Sequence, residues 1–282
     1  FCGDDGFDID EGWSGSVQYA FTIQDEEDAG NTGEHDGGTT PENGTPFATP
    51  VFSNATYLGA GYQASTSANP GGFNVRDNCS PAYYNSIFHD INGYGIIVEQ
   101  TGSEPTDSED RLLAGDIVYQ NNVWGLHKAG STPAALANGQ SWTETLFTDA
   151  SFNNRILDPG IYVSRLADQQ NDPRPKNTGA KGMKALPDWT DPTAYNPPAK
   201  PNFGQTFAGW FDQVDYVGAF DPNVSIDDNW MKTWSAFDYY GYLGENDGGC
   251  GGITDDGKPT KTITDADITE IGRASCRERV YC

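Results

Sequence analysis

Short stretches of alternating apolar and polar residues recur along the chain, each closed by Gly, Asn, Asp or Pro. Over residues 17–23, Val17, Tyr19, Phe21 and Ile23 alternate with Gln18, Ala20 and Thr22, the period of a strand with one buried face. Strand-like stretches follow at residues 50–57, 73–75, 83–91, 95–98 and 115–119, while helical periodicity is nearly absent. Two polar insertions, residues 25–46 and 100–110, interrupt the series. Many short, turn-punctuated strands predict an all-β fold, either a sandwich or a parallel β-helix. Asn92-Gly93 would serve the sandwich as a tight hairpin turn. Against it, Asp8-Ile9-Asp10 and Glu34-His35-Asp36 repeat an acidic-x-acidic pattern 26 positions apart, close to one solenoid coil if residues 25–31 loop out. The expectation is therefore the β-helix.

Charge narrows the function classes. With 16 Lys+Arg against 41 Asp+Glu, the net charge is −25, which argues against nucleic acid and anionic membranes as partners. No apolar run reaches the roughly 18 residues of a membrane helix, so membrane insertion is not expected either. The 34 Gly and 17 Pro fit frequent turns, and 36% hydrophobic residues suffice for a core. Residues 271–282 contain IGRASCRERV, which resembles a translated sequencing adaptor and is read as a non-native tail. Setting it aside leaves Cys2, Cys79 and Cys250, neither a disulfide framework nor a zinc motif.

The candidate chemistry lies in the carboxylates. If Phe7 and Ile9 point inward, Asp8 and Asp10 point outward with Cα atoms about 6.5–7 Å apart. Glu34 and Asp36, one coil on, would lie about 4.8 Å above them. Asp4, Asp5 and Glu11 flank the group. Like charges this close raise one another's pKa or recruit a cation. Asp8, Asp10, Glu34 and Asp36 are the candidate calcium ligands, a cross-rung set without EF-hand spacing. Arg76, outward beside Asn74, is an alternative neutraliser, and a solvated acidic surface is the plainest reading. His35, His89 and His127 are isolated in sequence, and His35 reads as an inward rung residue. No zinc, serine-hydrolase or nucleotide-binding motif is present.

Residues 3–25 (GDDGFDIDEGWSGSVQYAFTIQD), 33–38 (GEHDGG), 74–99 (NVRDNCSPAYYNSIFHDINGYGIIVE), 211–220 (FDQVDYVGAF) and 229–237 (NWMKTWSAF) resemble exported right-handed parallel β-helix proteins of Bacteroidota-like bacteria, uncharacterised and often carrying a type IX sorting domain. The resemblance implies coils over residues 1–128, a loop-rich closing segment at 129–243, a Gly/Asp-rich linker at 244–270, and a secreted or cell-surface location. The expected role is non-catalytic, binding polysaccharide or another surface polymer or serving as a structural spacer, with calcium among the carboxylates as a stabilising ion. GDDGFDI also resembles the Gly-Asp-Asp strand of pectin-degrading β-helix hydrolases. That likeness implies the alternative, an inverting glycosidase or lyase acting through Asp5, Asp8 and Asp10. That family's Gly-His-Gly and Arg-x-Lys have no match: residues 33–36 read Gly-Glu-His-Asp, and Asp77-Asn78 follow Arg76. Trp210, Phe211, Trp230, Trp234, Tyr239, Tyr240 and Tyr242 read as packing over the solenoid's open end, with a sugar-binding platform as the other option.

Overall fold

A computed structural model describes residues 3–38, 41–64, 71–102, 105–165, 170–186, 189 and 211–244. The chain winds as a parallel β-helix whose coils each contribute one short strand to each of three sheets. The first coil supplies β1 (Phe7–Ile9), β2 (Ser16–Gln18) and β3 (Phe21–Ile23), and the second β4 (Gly33–Asp36), β5 (Val51–Ser53) and β6 (Thr56–Leu58). The third supplies β7 (Phe73–Arg76), β8 (Ala82–Tyr84) and β9 (Ile87–His89). The fourth supplies β10 (Ile96–Val98), a helix α1 (Ser108–Ala114), β11 (Val118–Gln120) and β12 (Val123–Trp124). After α2 (Pro133–Leu136) and α3 (Thr145–Thr148), β13 (Arg155–Ile156) adds a last rung to the third sheet.

Every strand pair is parallel, so Asn92-Gly93 closes no hairpin. The coil length is set by what loops out. Phe73 pairs with Ile96, 23 positions on, whereas the step from Gly33 to Phe73, which contains part of the first polar insertion, is 40.

The strands expected over 17–23, 50–57 and 83–91 are each two strands, broken at a corner. Tyr19, Asn54, Asn85, Asn121 and Asn153 all take positive φ, from 50° to 62°, turning the chain sharply between the second and third sheets. Asn tolerates this left-handed conformation better than most side chains. The bend reverses the alternation: Val17 points into the core, Phe21 and Ile23 point out of the solenoid, and Thr22 takes the inward position. Stacked coils bring the corner amides into a ladder. Asn121 Nδ2 donates to Asn85 Oδ1 at 2.7 Å, and Asn153 Nδ2 donates to Asn121 Oδ1 at 2.6 Å. One residue on, Asn122 Oδ1 accepts from the Ser86 amide at 2.8 Å, and Asn154 Oδ1 from the Asn122 amide at 2.9 Å.

Inward positions form columns. Val17, Phe52, Tyr83 and Tyr119 line the second sheet, where the Phe52 and Tyr83 rings stack at 4.7 Å and those of Tyr83 and Tyr119 at 5.1 Å. Thr22, Tyr57, Phe88, Trp124 and Ile156 line the third. In the first sheet Gly33 sits beneath Phe73, where a Cβ would come within 2.7 Å of that ring and of His35. The missing side chain makes room for both rings. His35 is fully buried and bonds Tyr83 Oη through Nε2 at 2.7 Å.

The described closing chain packs along the flanks. Trp189 and Phe211 cover Val51, Ala82 and Tyr84 on the outside of the second sheet. Ile161, Ala180, Met183 and Val217 cover Ile23, Leu58, Ile87 and Val123 on the outside of the third. The aromatics expected over the open end therefore do not close it; of that set, Trp210 lies outside the described residues. The end is met instead by the segment carrying α2 and α3, whose Leu136 and Leu146 join the core. Gln140 there imitates a next strand: its Oε1 accepts from the Val98 amide at 2.9 Å and its Nε2 donates to the Val98 carbonyl at 3.1 Å. That pairing occupies an edge that would otherwise template aggregation. The sequence missed these helices because each spans four residues, too few for a period to register.

Asn121 is 1% exposed and also donates to the Lys184 carbonyl. Asn121→Ala should lower the unfolding free energy in urea by about 2–3 kcal/mol, combining lost hydrogen bonds with strain at positive φ. Asn121→Gly should cost visibly less, because glycine removes the strain component. Equal losses for the two variants would show that backbone conformation does not matter at this corner.

Candidate functional site

Two of the three outer faces are covered, which directs attention to the first sheet. Its outward positions are Asp8, Glu34, Asn74 and Ile97 in one column. Asp36 and Arg76 are paired in the next. Asp8 is exposed and Glu34, Asn74 and Ile97 are half-buried, whereas Val51, Ala82 and Tyr84 of the second sheet and Ile23, Leu58, Ile87 and Val123 of the third lie under chain. The cross-rung register of Asp8 on Glu34 is the one the repeated acidic pattern suggested.

Stacking carboxylates one coil apart costs electrostatic energy, and Arg76 is what the fold sets against it. Its guanidinium is bidentate on Asp36, Nε to Oδ1 at 2.5 Å and Nη2 to Oδ2 at 2.7 Å, and reaches Glu34 at 3.3 Å. Planar two-point pairing of this kind is the strong form of an ion pair. Arg76 thus takes up two of the four carboxylates assigned to calcium. Among the described residues, no group of three or more His, Cys, Asp or Glu side chains is arranged to hold a metal ion.

The neutralisation is incomplete, and the residual strain shows in the acids themselves. Asp5 hydrogen-bonds Glu34, and its pKa is pushed up to about 7 by burial first and by Glu34 second, although the Asn31 amide it accepts from acts the other way. Asp8 is raised by burial and by Asp10, Glu34 and Asp36. Asp36 is raised by burial despite Arg76. Asp77 follows Arg76 in a left-handed turn and is pushed up to about 7 by burial, then by Asp36 and Glu99. Glu99 accepts from the Asp77 amide at 3.0 Å. Tyr94 flanks the group, its hydroxyl raised by burial and by Glu34.

Of the residues picked from sequence, Asp5, Asp8, Asp10, Glu34, Asp36 and Arg76 come together on this face, with Asp4 acting on Asp5 from one side. Glu11 is exposed at a positive-φ turn and enters none of these contacts. Asp77, Tyr94 and Glu99 were missed. The clue for Glu99 was its offset: it stands 23 positions after Arg76, the same step that separates Phe73 from Ile96. The histidines take no part. His35 is buried in the core with its pKa driven down to about 3 by desolvation. His89 uses both ring nitrogens, Nδ1 accepting from the Leu126 amide and Nε2 donating to the Ile161 carbonyl. It borders a cavity of about 740 Å³ at the corner after the third sheet, where Arg165 pairs with Asp90 at 3.0 Å. His127 is buried and bonded to the Gly125 carbonyl. Cys79 is buried and unpaired, while Cys2 and Cys250 lie outside the described residues.

Three short parallel sheets wound into a solenoid, with a polar column on the outer face of the first, define a parallel β-helix. A family model described as a pectate-lyase like beta helix domain matches residues 1–190, and the chain belongs to that family. No curated protein and no solved structure matches it. Membership fits a function directed at polysaccharide. Among the described residues, no helix is long and apolar enough to cross a membrane.

Carboxyls that hold protons more tightly when folded stabilise the fold below the unfolded value of 3.8 and lose that contribution as pH rises through about 7. The melting temperature should therefore fall between pH 4 and pH 7, and the combined Asp5→Asn, Asp77→Asn variant should flatten that slope. An unchanged slope would place the proton uptake elsewhere. Arg76→Gln leaves its carboxylates uncompensated and should cost about 2 kcal/mol at neutral pH, a value discounted because the arginine is partly exposed. That loss should shrink toward pH 4 as the carboxyls protonate.

Proposed function

We propose that this protein is a secreted or cell-surface polysaccharide-binding β-helix that lays an extended glycan chain along the open face of the first sheet. The observation supporting this is that chain packs over the outer faces of the second and third sheets, while the first keeps a polar column of Asp8, Glu34 and Asn74 accessible. Rungs about 4.8 Å apart present carboxylate and amide groups at intervals suited to successive hydroxyls of one strand of sugar. The role is non-catalytic: Arg76 is committed to Asp36 and Glu34, and Asp5 to Glu34 and the Asn31 amide, so these groups hold the face in shape. An acidic face favours neutral glycans over polyuronates, which it repels at neutral pH.

A second reading rests on Asp5. Its carboxyl is raised to about 7, near the more exposed Asp8, and a carboxyl that still holds a proton close to neutral pH is one of the two groups that acid–base cleavage of a glycosidic bond requires. This enzyme would use Asp5 as acid, with Asp8 or Asp10 as its partner.

Binding to a panel of soluble glycans by affinity electrophoresis, with reducing-end release measured in parallel, separates the two. The binding reading expects retardation that weakens about 3- to 30-fold in Asp8→Ala/Glu34→Gln, the loss of one or two hydrogen bonds to charged groups. It expects no new reducing ends. Reducing-end release abolished by Asp5→Asn would establish the enzyme instead. Because Arg76 supplies the positive charge, the melting temperature should not respond to millimolar calcium; a rise abolished by Asp8→Asn would return calcium to the ladder.

A further inference from the structure

The closing segment leaves an aromatic stack outside. Phe220, on the flank of the third sheet, meets Phe21 edge-on at 5.1 Å and carries Trp230 stacked at 5.5 Å with a 7° tilt. Trp234 lies on Trp230 at 5.9 Å and 28°, extending the stack outward. Trp230 is 40% exposed and Trp234 69% exposed. Both indole N–H groups are used inside the segment, Trp230 Nε1 on the Ala219 carbonyl at 2.8 Å and Trp234 Nε1 on the Trp230 carbonyl at 2.5 Å. With both polar edges satisfied, Trp230 lies between two rings and Trp234 offers its outer, apolar face.

A strained backbone holds the pair. Thr233, between them, has φ +73°, a conformation that β-branched residues rarely take. Its amide donates to Asp238 Oδ2 at 2.7 Å, and Asp238 is tied to Lys232 at 3.0 Å and to the Ser235 hydroxyl through its own amide at 3.1 Å. Strain maintained by surrounding contacts is characteristic of ligand clamps. Asp227, which pairs with Lys232 at 3.7 Å, and Asp228 are exposed and precede Trp230 in the chain, acceptors for hydroxyls that would repel an anionic polymer.

From this stack, its internal N–H bonds and its strained support, we propose that Trp230 and Trp234 form a second saccharide contact. The outer face of Trp234 would receive the flat C–H face of a β-linked neutral pyranose, with the exposed edge of Trp230 beside it and Asp227 and Asp228 accepting its hydroxyls. Rigid aromatics suit this because apolar area is gained with little loss of side-chain freedom. The proposal rests on the polysaccharide reading above but uses none of the acidic ladder.

The test uses the full chain in native gels containing soluble β-linked glucan, mannan or xylan, with polygalacturonate alongside. Trp234→Ala, which truncates a mostly exposed ring, should weaken retardation by a neutral glycan about three- to tenfold, and Trp234→Phe should recover most of it. Equal retardation of wild type and Trp234→Ala overturns the platform while leaving binding at the first sheet intact. No retardation of the wild type by any neutral glycan also overturns it. In that case the neutral-glycan reading of the first sheet falls with it, and polygalacturonate, which both acidic surfaces repel, is the control expected to leave migration unchanged. If sedimentation shows a dimer that Trp234→Ala dissociates with glycan binding unchanged, the surface joins two copies of the chain and the proposal fails.

Discussion

Each coil of this solenoid sets its residues directly on those of the coil before, at strand spacing of about 4.8 Å. Everything else in the molecule responds to that enforced stacking of like on like. For aromatic residues it is favourable: Phe52, Tyr83 and Tyr119 form a continuous column, with Tyr57, Phe88 and Trp124 packed against it. Asparagine at the corner gains as well, because an amide both donates and accepts and so repeats without conflict. Carboxylates are the one class for which it is costly. Asp8 on Glu34, with Asp36 beside them, would repel strongly without Arg76.

The cost at the acidic face is met in two ways. Arg76 fixes Asp36 and Glu34 from the next rung, and the carboxyls it does not reach keep their protons to higher pH, Asp5 and Asp77 up to about 7. Arg76 ties two neighbouring strands of this face together, and the outer faces of the other two sheets are occupied by the protein's own closing chain.

Much of this was legible without coordinates, and the reason differs by element. The repeat of Asp8-Ile9-Asp10 in Glu34-His35-Asp36 betrayed one coil step because acidic residues on an outer face are conspicuous at any spacing. The same pattern placed His35 inward correctly. Reading residues 17–23 as one straight strand failed because a corner at Tyr19 switches which residues face in, and alternation looks unbroken through such a switch. Only at later coils does Asn stand there as a visible turn residue. Calcium and Arg76 were both named as neutralisers; that Arg76 reaches Asp36 and Glu34 needed the fold, since which charge reaches a carboxylate depends on the number of residues that loop out between rungs.

By itself the sequence determined the class of fold, the inward and outward faces of the first strands, and the charge that weighs against nucleic acid. These follow from local alternation, turn residues and composition, which need no partner in space. The tertiary structure decided which faces stay open, what closes the end of the coil stack, and which residues meet. Trp234 illustrates the division. In the sequence it is one aromatic among many in the closing segment, equally suited to packing and to display. Its 69% exposure follows from where the chain returns across the third sheet, a long-range outcome that no local pattern encodes.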